Sequence, residues 1–333
     1  MSIKKVLITL ALLLSIILAV VYWGQQKLDK YINTSLVDKT MLFTVNSGSN
    51  YSRLGNTLLN DALITDLTWW KVLGKLQPEL TNIKSGTYQF EEGFTLHDIL
   101  ITLNKGNEYQ FRVTFVEGST FKEWQQIFAK AEMLKPLTQT ESEILTALES
   151  PHAKLEGLLF PETYHYSANM SAFQIIRKAY NHQQQVLEKL WAERDKDLPL
   201  KTPYEALILA SIVEKESGLS ADRDKIASVF VNRLRRGDMR LQTDPTVIYG
   251  MGDRYDGRIR SKDLRELTPY NTYRIDGLPP TPIAMPSEAA LYATLHPAST
   301  QYLYFVSKGD GTSYFSKNLR EHNRAVQKYI LGK

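Results

Sequence analysis

The sequence predicts an α+β protein with an N-terminal transmembrane helix, a small α+β module, and a larger catalytic domain of helices, loops and short strands. Three observations predict it. An uncharged apolar run stands near the start. Strand-like and helix-like patterns alternate over residues 41–108. Longer helical patterns, separated by Pro- and Tyr-rich loops, fill residues 109–333. A length of 333 residues accommodates two domains, and 43% hydrophobic with 23% charged residues is ordinary globular usage. The net charge of +4, with no run of five basic residues, points away from a nucleic-acid surface. Cysteine is absent, which removes disulfides, thiolate metal sites and a thiol nucleophile.

The apolar run is Val6–Trp23, with only Thr9 and Ser15 polar. As a helix it spans ~27 Å, close to the ~30 Å hydrocarbon core. Tyr22 and Trp23 stand where an interfacial aromatic belt belongs. The run is longer than the ~7–15 apolar residues of a signal peptide and ends in Val-Tyr-Trp-Gly, a poor cleavage site. It therefore reads as an uncleaved anchor, with a tail at 1–5 and a linker at 24–40. Lys4 and Lys5 precede it, but Lys27, Lys30 and Lys39 follow it, so the charge count does not orient it.

Within 41–108, Met41–Val45 and Ser85–Phe90 read as strands, and Tyr51–Leu59 and Trp69–Leu76 as helices. Thr95 caps an amphipathic helix with Leu96, Ile99, Leu100 and Leu103 at helical spacing. Trp69, Trp70, Tyr88 and Phe90 suit either a carbohydrate-binding face or, more simply, a core. Beyond the module, Tyr109–Val116 alternates as a strand. Helices are predicted at Phe121–Ala131, Glu141–Glu149, Ala172–Lys196 and Ala221–Arg236, the last capped by Ser220 and followed by Gly237. Leu155–Tyr164 reads as an extended, aromatic-rich segment.

The chemistry concentrates at Thr202–Gly218. Thr202-Pro-Tyr-Glu205 is a capping box with Pro at the first helical position, and Ser217-Gly218 supplies the stop. On the helix between them, Leu209, Ile212, Val213 and Glu216 share one face. Glu214 lies ~200° away with Leu207 and Ala210. An apolar stripe and the negative end of the helix dipole should both raise the pKa of Glu216. A carboxyl at ~4.3 is only ~0.2% protonated at pH 7, whereas one at ~6 is ~10% protonated, as a general acid requires. The bland alternative is a solvated helix-end glutamate. Irregular stretches follow at 241–250, 269–273 and 277–283. Their amides, hydroxyls and Tyr rings suit a sugar chain. Gln242, Thr243, Asp244, Asn271 and Tyr273 are the candidate ligand contacts there, with His322 and Asn323 on the last helix. No two of the six histidines stand at HxH or HxxxH spacing, so no metal site is expected.

Several motifs in one order resemble the endolytic murein transglycosylase, or YceG-like, family. They are Ala210-Ser-Ile-Val-Glu-Lys-Glu216, Leu241-Gln-Thr-Asp-Pro-Thr-Val-Ile-Tyr-Gly250, Tyr270-Asn-Thr-Tyr273 and Gly277-Leu-Pro-Pro280. Lys84–Tyr88, Val116–Gly118, Glu156–Tyr164, Tyr302–Val306 and Glu321–Asn323 extend the resemblance over nearly the whole chain. It implies a LysM-like subdomain at 41–108, a transglycosylase domain at 109–333, and Glu216 as the catalytic glutamate. It further implies a body on the periplasmic side of the bacterial inner membrane, without a cofactor. There it would cut nascent peptidoglycan strands internally and leave 1,6-anhydro ends. Peptidoglycan glycan strands are the implied substrate, and peptidoglycan synthases of the penicillin-binding protein type are candidate partners. Residue patterns alone leave two alternatives: a noncatalytic wall-binding anchor, and a muramidase that hydrolyses with Asp244 as second carboxylate.

Overall fold

The computed structural model describes residues 3–217 and 220–332, so the expected stop at Gly218 lies outside them. The chain divides into two compact units. One runs to Phe111 and includes Ser167–Asn169; the other comprises Arg112–Tyr166 and the residues from Met170 on.

The first unit contains helix α1 (Ile3–Asn33), strand β1 (Met41–Val45), helices α2 (Tyr51–Asn60) and α3 (Thr68–Leu76), strand β2 (Gly86–Phe90) and helix α4 (Leu96–Lys105). α1 does not stop at Trp23. It continues through most of the expected linker, because Leu28, Tyr31 and Ile32 find an apolar surface to pack against. Its membrane-length apolar window is unburied, as a helix needs if its solvent is lipid. β1 and β2 pair antiparallel, Met41 opposite Phe90 and Val45 opposite Gly86. Trp70, Tyr88 and Phe90 are buried beneath them, so these rings belong to the core and present no sugar-binding face. Trp70 stacks on Tyr51 at 4.1 Å, and the absence of a side chain at Gly55 makes room for it. A Cβ there would stand 2.4 Å from the indole nitrogen. Thr95 and Asp98 close the expected α4 start as a full capping box.

The second unit carries β3 (Phe111–Thr114, starting at the division), α5 (Phe121–Lys130), α6 (Glu141–Ala147), β4 (Thr163–Tyr166), α7 (Ala172–Glu193), α8 (Pro203–Glu216) and α9 (Arg223–Arg236). Then follow α10 (Asp244–Met251), α11 (Ser261–Arg265), α12 (Glu288–Leu295), β5 (Tyr304–Ser307), β6 (Ser313–Ser316) and α13 (Leu319–Tyr329). β3 pairs with β4 and β5 with β6, each as a two-stranded sheet. α8 is the axis of this unit. Every residue from Ala206 to Val213 is buried, because α7, α9, α10 and α12 surround the helix. The residue pattern predicts one apolar face for α8; between Ala206 and Val213 the structure buries every face. Thr202 caps α8 as expected, but the Glu205 carboxylate turns back to the Lys201 amide rather than to the cap's own. The stretch 241–250, expected to be irregular, is largely the helix α10. Pro245 sits in its first turn, where its missing N–H costs nothing. α9 starts at Arg223, after a short 3-10 turn that begins at Ser220.

The segment 155–162, expected to be extended, instead makes a turn at Glu156-Gly157 and becomes a strand only from Thr163; it is held against the loop 282–285. Gly157, at φ +77°, lets Pro282 approach to where a Cβ would be 2.4 Å away. The neighbouring Glu156 is 5% exposed. Its carboxylate accepts the Phe121 N–H at the start of α5 (2.9 Å) and the Tyr249 hydroxyl (3.1 Å). Burial outweighs both bonds and pushes the carboxyl up to about 7.

The Glu156 carboxyl makes stability pH-dependent. The folded state holds this proton more tightly than the unfolded chain, whose ordinary value is 4.5. The contribution is therefore complete below pH 4.5 and lost as pH rises to 7, a difference of about 3 kcal/mol. Glu156→Gln can still accept the Phe121 N–H and donate its amide to the Tyr249 oxygen, but it cannot ionise. Unfolding of the full chain in detergent should show a flatter stability profile between pH 4.5 and 7 for the variant than for wild type.

Candidate active site

Two glutamates end α8, and the helix presents them to different surroundings. Glu214, on the side of Leu207 and Ala210, has a side chain only 8% exposed. Its carboxylate accepts the Ser287 amide (2.9 Å) and the Ser287 hydroxyl, and Arg223 stands 3.7 Å away. Ser287 in turn caps α12 by accepting the Ala290 N–H at 3.1 Å. Glu214 is thus a compensated structural carboxylate that ties α8 to α12.

Glu216 forms no ion pair with a cation among the described residues. It accepts a hydrogen bond from the Thr243 hydroxyl. Burial pushes its carboxyl up, the Thr243 bond pulls it down, the Asp244 carboxylate pushes it up further and Arg233 opposes that. Burial dominates, and the balance is a carboxyl raised above its ordinary value.

Thr243 is itself fixed from below. Its amide donates to the Thr272 hydroxyl (3.0 Å), the Thr246 hydroxyl donates to its carbonyl (2.7 Å), and the Thr246 and Thr272 hydroxyls are 2.8 Å apart. Gln242 precedes it at φ +52°, a left-handed conformation rare for a residue with a side chain. Its side chain is exposed. Asp244 is exposed and accepts the Tyr273 hydroxyl at 2.7 Å. Burial, then Asp244, pushes that phenol up, so Tyr273 is a donor across the working pH range.

Arg233 and Tyr304 complete the surroundings, and sequence reasoning missed both. Arg233 is 7% exposed and donates to the carbonyls of Leu303 (2.7 Å), Arg240 (3.2 Å) and Leu241 (2.6 Å). Its guanidinium lies 5.2 Å from the Tyr304 ring centroid. It had a signal: Ile226, Phe230 and Arg233 form an i, i+4, i+7 stripe on α9, and a charge on an apolar stripe needs partners. His322 stacks on Tyr304 at 5.2 Å and 26°. Burial, then the charge of Arg233, pushes its imidazole down, and among the described residues its buried Nδ1 has no hydrogen-bond partner.

Glu216, Thr243, Asp244 and Tyr273 are therefore linked directly, and His322 joins them through Tyr304 and Arg233. Asn271 is not available to a ligand. It is 1% exposed, its amide donates to the carbonyls of Asp263, Leu264 and Glu266, and its oxygen accepts the Tyr273 N–H. Its work is to close the end of α11. Asn323 is exposed on α13, turned to solvent. Among the described residues no group of three or more His, Asp or Glu side chains is arranged to hold a metal ion.

The model of the YceG-like family matches residues 43–328, which include every residue of this site. The chain belongs to the YceG-like family. An endolytic murein transglycosylase of Bacillus subtilis is 34% identical, over 89% of this chain and 88% of the relative. One of Streptococcus pneumoniae R6 is 28% identical over 99% of this chain and 66% of its own length. The crystal structure of a YceG-like protein of Listeria monocytogenes superposes with a TM-score of 0.54 at 29% identity, over 86% of this chain and 99% of that one.

In this YceG-like chain, the Thr243 bond and the Asp244 charge act on Glu216 in opposite directions. Thr243→Val removes a donor to the ionised form and should move the Glu216 titration upward. Asp244→Asn removes a neighbouring negative charge and should move it downward. Carbon-13 NMR titration of the glutamate carboxyls in the full chain checks both signs; shifts in the same direction would refute this account of the site.

Proposed function

We propose that this chain is a membrane-anchored endolytic peptidoglycan lytic transglycosylase with Glu216 as its acid and base. The observation that carries the reading is the contrast at the end of α8. Of two half-buried or buried glutamates two residues apart, one is compensated by Arg223 and Ser287. The other is raised by burial and faces a hydroxyl and an acid. The relatives' activity points the same way. Protonated Glu216 gives its proton to the glycosidic oxygen between MurNAc and GlcNAc, and the C1–O bond breaks with the GlcNAc 4-hydroxyl as leaving group. The muramoyl 6-hydroxyl oxygen bonds to C1, and its proton passes to the Glu216 carboxylate. A 1,6-anhydro ring closes, no water is consumed, and the enzyme is returned in its starting form. Tyr273 and Asp244 stand beside the carboxyl to meet sugar hydroxyls, with Gln242 at the exposed rim and His322 behind. Asp244 is the one neighbouring carboxylate that would serve a hydrolytic mechanism.

In this reading α1 is the anchor and the body lies outside the cytoplasmic membrane, with peptidoglycan synthases as neighbours. The first unit is a LysM-like module that positions glycan; the β1-α2-α3-β2 order with antiparallel strands supports it. A reporter fused after Lys333 should work only if it is one active outside the cytoplasm. A cytoplasmic signal would reverse the orientation and remove access to the wall.

The full chain in detergent, incubated with isolated glycan strands, should release fragments with anhydro ends by mass spectrometry. Reducing ends would mean hydrolysis, and no product would mean a binding role. Glu216→Gln should lose at least ~10²–10⁴-fold in rate. Its melting temperature should be unchanged or higher, because the amide can still accept from Thr243 and buries no charge. Glu214→Gln should do the reverse. It leaves Arg223 without its partner and should cost about 1–3 kcal/mol of stability while the folded fraction still cuts.

A further inference from the structure

A second cavity of about 660 Å³ opens in the same unit, away from the Glu216 carboxyl, lined by Lys154, Glu156, Tyr249, Asp253, Tyr255 and Tyr270. Its charges are unevenly used. Lys122 and Asp253 on its rim pair with each other. The buried Glu156 carboxyl has both oxygens engaged, by the Phe121 amide and the Tyr249 hydroxyl. The remaining acid of the lining, Glu123, is taken up by the Thr120 cap. Lys154 acts on the Glu156 carboxyl through its field alone, which lowers it. Its ammonium sits 5.3 Å from the Tyr249 ring centroid and 5.4 Å from that of Tyr270, and it forms no ion pair among the described residues. The two rings stand edge to face at 4.9 Å, which fixes the floor beneath it. A cation held over aromatic faces is partly dehydrated and keeps its donors for an incoming anion. The rings beside it offer apolar surface to small aliphatic groups.

Helix α10 joins this cavity to the active site. Asp244 at its start is the neighbour of Glu216, and Tyr249 near its end is the cavity floor. Five residues of helix separate them, a rise of ~7.5 Å. The substrate of the proposed reaction is a glycan whose muramoyl residues bear peptide stems, and those stems carry free carboxylates and small side chains. We propose that the cavity is the subsite for a carboxylate of the peptide stem next to the cut, with Lys154 as its ion partner and Tyr249 and Tyr270 as its floor. The assignment rests on the glycan-cutting reading, and it makes the enzyme a reader of stems as well as of sugars.

The test compares strands bearing their stems with the same strands stripped by an amidase, using the full chain in detergent. Lys154→Met keeps the alkyl stem over the rings and removes the charge. It should lower the preference for stem-bearing strands, read as the ratio of kcat/KM values, by about tenfold or more and mainly through KM. Lys154→Arg should restore most of it. An unchanged ratio would overturn the proposal, as would an equal loss on both substrates. A second measurement does not depend on turnover. Calorimetry of the Glu216→Gln chain with a soluble disaccharide-tetrapeptide should show binding that weakens at least tenfold with added Lys154→Met, and equally when the stem carboxylates are amidated. No binding, or binding indifferent to both changes, would overturn the subsite. Failure of wild type to cut either strand would instead refute the glycan-cutting reading.

Discussion

The second unit depends on the burial of α8 from Ala206 to Val213. A helix packed on all sides along its middle leaves the carboxyls of its last turn largely out of bulk water, so Glu214 and Glu216 must be answered by the protein. Desolvation of a charge costs far more than a hydrogen bond returns, and the two sites answer it differently. Glu214 receives a guanidinium, an amide and a hydroxyl, and becomes the joint between α8 and α12. Glu216 receives one hydroxyl in contact and a nearby acid, and keeps its tendency to hold a proton. In the proposed function, the reactivity of Glu216 comes from leaving a buried group undercompensated.

That arrangement needs rigid surroundings, because an undercompensated carboxyl would otherwise turn toward water. The Thr246 and Thr272 hydroxyls around Thr243 and the carbonyl clamp of Arg233 supply them. Arg233 does two things at once. It satisfies carbonyls of the segment that presents Thr243, and its charge limits how far burial raises Glu216. The left-handed backbone at Gln242 is the strain this segment accepts in order to turn Thr243 toward the carboxyl. Glu156 repeats the theme. It is another buried carboxyl held by neutral donors, and it links the α5 start to the end of α10.

Much of this was legible in the residue order. Period and capping signals located α2, α4, α5, α8 and α9 to within a few residues, because those helices start at side-chain caps or stop at Gly, which are local chemistry. α10 was not legible. Its Thr-Asp-Pro start and short length resemble a loop until Thr246 and Thr272 close around it. Asn271 was misread for a related reason. A polar residue in a Tyr-rich loop looks like a ligand contact, and only the fold shows three carbonyls already waiting for its amide. Arg233 was missed because a charge on a helix reads as solvated unless its face is known to be inside.

By itself, the sequence determined the apolar span at Val6–Trp23, the α+β class, the absence of thiol chemistry and the place of Glu216 at the end of a well-capped apolar helix. These rest on composition and on interactions within a few residues, which the order of side chains specifies directly. Only the tertiary structure decided that Glu214 is paired with Arg223 and Ser287 while Glu216 is raised by burial. Only it decided that Asn271 is consumed internally and that Lys154 stands over two rings without an ion pair among the described residues. Each of those outcomes depends on partners 5 to about 120 residues away in the chain, such as Ser287, Thr243 and Tyr270. A carboxyl's proton affinity is set by what surrounds it in space, and that neighbourhood exists only once the chain has folded.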